Sequence, residues 1–135
     1  MIIAVDFDGI LAGNGREFPD IGNANYTMVS LVRGLINAGH EVVLWTSRTG
    51  PALERALKWC EANQLHFCAV NDNAPSNKAM YQAAYPEGTR KVSADIYLDD
   101  HDPTYLVECK RFGQLYAIHS MVKRVKEILS WEEEN

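Results

Sequence analysis

The chain has 135 residues, of which 47% are hydrophobic and 23% charged, and it carries a net charge of −5. That balance suits one globular domain with a real core, and no apolar run approaches the roughly 20 residues of a membrane span. The basic stripe of a protein that grips a nucleic-acid backbone is missing, and Cys60, Cys68 and Cys109 are too few and scattered for a disulfide framework or a zinc site.

In chain order, the apolar run 2–5 predicts a first strand, and Asp6-Phe7-Asp8-Gly9 follows it. The opening Met1-Ile2-Ile3-Ala4-Val5 lacks the basic segment of a signal peptide, so a cytoplasmic location is expected. Residues 11–25 read as a loop. From 26 to 38, Met28, Leu31, Val32, Leu35 and Ile36 share one helical stripe, which Gly39 can cap. A second strand at 42–45 leads into Thr46-Ser47-Arg48, and Pro51 suits the first turn of a helix that continues through Leu53, Ala56, Leu57 and Cys60. A third strand is expected at 67–70, before Asn71-Asp72-Asn73, and a weaker helix at 76–84 stops ahead of Pro86. A fourth strand at 96–98 precedes Asp99-Asp100, and Asp102-Pro103 opens a helix that Gly113 closes. The apolar run 115–118, followed by His119-Ser120, predicts a fifth strand. A last helix carries Met121, Val122, Val125, Ile128 and Leu129 on one face and ends in the solvated Glu132-Glu133-Glu134. The three cysteines, each within an apolar pattern, are expected as small core residues.

Continuous apolar runs, as opposed to alternating ones, mark strands buried on both faces. Strands that alternate with helices imply an α/β fold, here one doubly wound, parallel, five-stranded sheet forming a single domain over 1–135. Such sheets bind ligands beyond the carboxyl ends of their strands, where the winding direction reverses. At those ends the sequence sets Asp6 and Asp8 after one strand and Asp99 and Asp100 after another.

Residues two apart on a strand point the same way, about 6.6 Å apart, so Asp6 and Asp8 can address one bound group while Gly9 lets the chain turn closely past it. Four converging carboxylates repel one another unless a cation sits among them. Oxygen ligands without His or Cys favour a hard ion, and Mg²⁺ is expected on Asp6, Asp99, Asp100 and Asp8, the last through its backbone carbonyl. An aspartate at such a site can attack phosphorus, which gives Asp6 as nucleophile and Asp8 as the group that protonates the leaving oxygen and then activates water. Thr46 and a lysine would hold the phosphoryl oxygens. Ser47 and Arg48 stand close by; Arg48 either binds a substrate anion or pairs with Glu41 or Glu54.

In these motifs the chain resembles the haloacid dehalogenase superfamily. Asp6-Phe7-Asp8-Gly9-Ile10 matches its first motif, with Ile10 where Thr or Val is usual. Thr46 after Val42-Val43-Leu44-Trp45 matches the second, and Asp99-Asp100 after Ile96-Tyr97-Leu98 the fourth. The resemblance implies a Rossmann-like fold, Mg²⁺-dependent phosphatase activity and an aspartyl-phosphate on Asp6. Asp8 points to phosphate over carbon–halogen chemistry. The lysine of the third motif is Lys78, favoured by its place at a helix start after the third strand, or Lys91, in the Arg-Lys pair before the fourth, where direct continuation into that strand would put it near the sheet's opposite edge. No cap domain fits within 11–25 or 71–90. The resemblance implies that uncapped members take bulky substrates or borrow a lid by oligomerising, so a homo-oligomer is among the expectations. The expected partner is a phosphorylated small molecule, ahead of nucleic acid. The alternatives are a nucleotide or polynucleotide phosphatase, or a non-catalytic binding module on the same fold. A phosphorylatable receiver domain is excluded because Asn71 stands where its acceptor Asp would be.

Overall fold

A computed structural model describes residues 1–13 and 16–134, with the side chain of Glu134 left out of the description. The chain runs β1 (Ile2–Val5), α1 (Tyr26–Asn37), β2 (Glu41–Leu44), α2 (Gly50–Ala62), β3 (Ala69–Val70), α3 (Pro75–Tyr81), β4 (Ile96–Leu98), α4 (Pro103–Phe112) and α5 (Gln114–Glu134). The strands are all parallel and ordered β3-β2-β1-β4. From β1 the winding goes through β2 to β3, then returns past β1 to β4. The direction therefore reverses between β1 and β4.

Register divides the strand residues between two faces. Ile3 is opposite Val42 and Ile96, and Val5 is opposite Leu44 and Leu98. This face packs against Met28, Val29 and Val32 of α1, Ala56 and Cys60 of α2, Tyr105 of α4, and Ala117, Ile118, Met121, Val122 and Val125 of α5. The opposite face offers Ala4, Val43 and Tyr97, which meet Ala74, Val92 and Ala94. That second cover is one short helix and a connecting segment.

The α/β, parallel architecture follows the sequence reading, but the sheet has four strands among the described residues, not five. The run 115–118 lies inside α5, where Ala117, Ile118, Met121, Val122 and Val125 form one buried stripe at helical spacing while Leu115 and Tyr116 face solvent. β3 is shorter than expected, and Cys68, just before it, is exposed, whereas Cys60 is buried. Pro51 does lie in the first turn of α2, and the Asp102 carboxylate caps α4 by accepting the Tyr105 N–H at 3.1 Å. Of the loop expected at 11–25, Asn14 and Gly15 lie outside the described residues; Ala12 bridges to Asp8 and to Ala24. No helix among the described residues is long and apolar enough to cross a membrane.

Candidate active site

At the carboxyl edge of the sheet, Asp6 extends β1 by donating its backbone N–H to the Leu98 carbonyl at 2.9 Å. The chain leaving Leu98 then delivers Asp99 and Asp100 to the same point. Asp6, Asp99 and Asp100 each bring a carboxylate oxygen within 4.8 Å of the other two, and all three residues are partly buried. Their orientations are fixed locally. The Phe7 N–H donates to Asp6 Oδ1 at 2.7 Å, and the His101 N–H donates to Asp99 Oδ1 at 2.8 Å. Asp100 rests on the backbone of Gly9, where an added Cβ would come within 2.7 Å of its side chain. Gly9 has φ of +86°, so both its conformation and its contact exclude a side chain. The buried Tyr105 hydroxyl secures this turn by donating to the Gly9 carbonyl at 2.9 Å.

Burial, a hydrogen bond to Asp100 and the negative charges of Asp100 and Asp99 push the Asp6 carboxyl up to about 8. The Phe7 N–H opposes this only in part. With protein partners alone, Asp6 therefore holds a proton at neutral pH. A hard divalent cation among these oxygens would displace it, and the donor set suits Mg²⁺ chemically.

Asp8 is placed differently. Arg48 grips it bidentately, with Nε on Oδ2 and Nη2 on Oδ1, both at 2.8 Å. The other Arg48 donors reach the carbonyls of Pro19 (2.9 Å), Ala52 (3.2 Å) and Asp20 (3.3 Å). Its side chain is 1% exposed, with the guanidinium between the Phe7 and Phe18 rings at 5.2 and 5.1 Å. Neither reading of Arg48 from sequence holds. With every N–H engaged, no donor is left for a substrate. Its ionic partner is Asp8, while Glu41 instead accepts from the Ser76 N–H and hydroxyl.

Thr46 joins the rim through its neighbours. Its N–H donates to Asn71 Oδ1 at 2.7 Å, and its Oγ1 accepts the Arg48 N–H at 3.1 Å. Ser47, beside it, is exposed. Lys78 pairs with Asp72 in a cavity of about 660 Å³ whose lining includes none of the acid trio. Lys91 lies 5.6 Å over the Tyr97 ring and shares a smaller cavity of about 330 Å³ with Trp45, Tyr97 and Asp99. Simple continuation into β4 would put Lys91 at the far edge of the sheet, yet the chain does not run straight. Asn73 Nδ2 donates to Thr89 Oγ1, Asn73 Oδ1 accepts the Ser93 N–H, and Asn77 Nδ2 donates to the Ser93 carbonyl, at 2.8, 2.8 and 2.7 Å. These amides bend 89–93 over the sheet and carry Lys91 towards Asp99. The geometric preference thus passes from Lys78 to Lys91.

The sequence reading missed Asn73, Asn77 and Tyr105 as supports of the site. The first two carried a signal, being amides near a strand end, but their partners lie in another segment. A cavity of about 800 Å³, lined by residues that include Met1, Leu31, Leu35 and Leu129, lies by the start of β1, and none of the acid trio lines it.

No family model and no curated protein matches the chain. A solved structure of a conserved protein coded by a locus of Bacteroides thetaiotaomicron is similar, with a TM-score of 0.63 and 30% sequence identity. The match covers 82% of this chain and 89% of that one. At this identity and coverage the chain belongs to the same family as the Bacteroides protein, whose description names no activity.

Proposed function

We propose that this member of that family is a phosphomonoester hydrolase of the haloacid dehalogenase type that depends on Mg²⁺ and works through Asp6. The observation that carries the reading is the acid trio of Asp6, Asp99 and Asp100 at the winding reversal between β1 and β4. Asp6, Asp99 and Asp100 would hold the cation, with the backbone carbonyl of Asp8. Bound there, Mg²⁺ would let the three carboxylates ionise together and draw negative charge off the phosphoryl group.

In this reading an Asp6 oxygen forms a bond to phosphorus as the bond to the leaving oxygen breaks, and the leaving oxygen gains a proton. Water then attacks the aspartyl-phosphate and regenerates Asp6. Asp8, with its side chain 44% exposed, serves the proton transfers. Thr46 and Lys91 face the phosphoryl oxygens, and Trp45 and Tyr97, with ring centroids 5.5 Å apart, give the leaving group an aromatic wall. A phosphorylated small molecule fits the acidic chain and the 330 Å³ cavity better than a polynucleotide does.

The test is purified protein with Mg²⁺ against aryl, alkyl, sugar and nucleoside monophosphates. Hydrolysis that chelator abolishes is expected, with small monoesters preferred over oligonucleotide 5′-phosphates. No turnover across the panel would leave a binding module and overturn the enzymatic reading.

A further inference from the structure

Four carboxylates stand near one strand edge, yet only three cluster. The fourth, Asp8, is two residues from Asp6, and a divalent cation in the trio would attract it strongly. What opposes that pull is a guanidinium with no freedom to follow. Arg48 is anchored by the carbonyls of Pro19 and Asp20 from one segment and of Ala52 from α2, and it sits between two phenylalanine rings. Its remaining donors, Nε and one Nη2 N–H, form the fork that holds both Asp8 oxygens.

We propose that Arg48 sorts the site's carboxylates: it is a positioning residue that keeps the Asp8 carboxylate out of the cation set of Asp6, Asp99 and Asp100 and in reserve for the proton transfers. The role rests on the phosphatase reading above. A purely structural Arg48 would staple residues 18–20 to α2, and for that its contact with Asp8 is incidental. The two roles separate because the staple uses the carbonyl bonds and the sorting uses the fork.

The first experiment is a crystal structure of the wild-type protein grown in millimolar Mn²⁺. The cation should bind Asp6, Asp99 and Asp100 with both Arg48–Asp8 bonds intact. An Asp8 carboxylate oxygen on Mn²⁺ overturns the sorting role while leaving the metal site standing. A trio that takes up no Mn²⁺ overturns the metal-dependent reading itself, and the sorting role falls with it. The second experiment is a double-mutant cycle on an alkyl phosphate with Arg48→Lys, Asp8→Asn and the pair. Lysine keeps the charge but not the fork, so Arg48→Lys should lower kcat about 10²-fold with KM within about threefold, and Mn²⁺ affinity should rise as the freed Asp8 carboxylate is drawn to the trio. The double variant should be no slower than Asp8→Asn alone. Losses that multiply would assign Arg48 to the staple and overturn the proposal. The wild-type structure needs no variant, so it decides the matter even where Arg48→Lys fails to fold.

Discussion

Asp6 and Asp8 flank Phe7 on one turn and meet the same difficulty, a carboxylate drawn partly out of water, with opposite surroundings. Around Asp6 are two more acids, and it responds by holding its proton up to about pH 8. Asp8 faces a buried guanidinium that supplies two N–H bonds at 2.8 Å. The first arrangement is unstable towards charge; the second is complete within the protein. Two acids of identical type, one residue apart from being neighbours, are thereby prepared for different work.

The largest effect expected from breaking this contrast lies on the Asp6 side. Asp6→Asn removes nucleophile and cation ligand together in an isosteric change, so phosphatase turnover should fall to background while the circular dichroism spectrum is kept. Wild-type rates in this variant would refute covalent catalysis on Asp6. On the other side, Asp8→Asn should cost about 10²–10⁴-fold with alkyl phosphates and clearly less in the attack step with nitrophenyl phosphate, whose leaving group needs no proton. Stopped-flow traces should then show a burst as phosphoenzyme accumulates. Equal, small losses for both substrates would instead make Asp8 a turn residue.

Stability should sharpen the contrast. Arg48→Met leaves three backbone carbonyls and a carboxylate without their donor, and urea unfolding should show a loss of about 3 kcal/mol. A change under about 0.5 kcal/mol would mean the pair contributes nothing to the fold.

The smallest effect is the dependence on pH. The native Asp6 carboxyl titrates near 8 against an ordinary value of 3.8, so between these values the folded chain binds the extra proton. Stability from this group is therefore fully present below about pH 4 and declines as pH rises towards 8. In chelator, Tm should drop by on the order of several degrees from pH 5 to pH 8. Mg²⁺ should remove that slope, because its binding replaces the proton, and so should Asp6→Asn. A slope that persists in Asp6→Asn would trace to other groups.

Much of this arrangement was legible in the residues. The runs 2–5 and 96–98 are continuously apolar because each strand is covered on both faces, and the acids that follow them fall at the carboxyl edge by geometry alone. The run 115–118 misled because four apolar residues in a row carry no period of their own. Only Met121, Val122 and Val125 downstream show that Ala117 and Ile118 begin a helical stripe. The Arg48–Asp8 pair spans 40 positions, and local pattern does not report a side chain turning inward. Lys91 was misplaced for a related reason: the path of its segment is set by the amides of Asn73 and Asn77, not by any propensity of residues 89–93 themselves.

That segment is attached to the molecule unlike anything on the helical face. It is joined through the amides of Asn73 and Asn77, the Tyr97 hydroxyl and the Val92 contact, and every residue from Lys78 to Lys91 is exposed. Few buried apolar groups tie it down, so it should open in sub-global fluctuations while the four-helix side remains closed, and its amides should exchange with deuterium early. In the proposed function, the groups that would carry out bond-making are thus held on rigid strand ends, whereas the lysine and the aromatic wall that would meet the ligand border a separable patch. Sequence drift in 79–92 could retune which ligand is accepted without unsettling Asp6, Asp99 or Asp100.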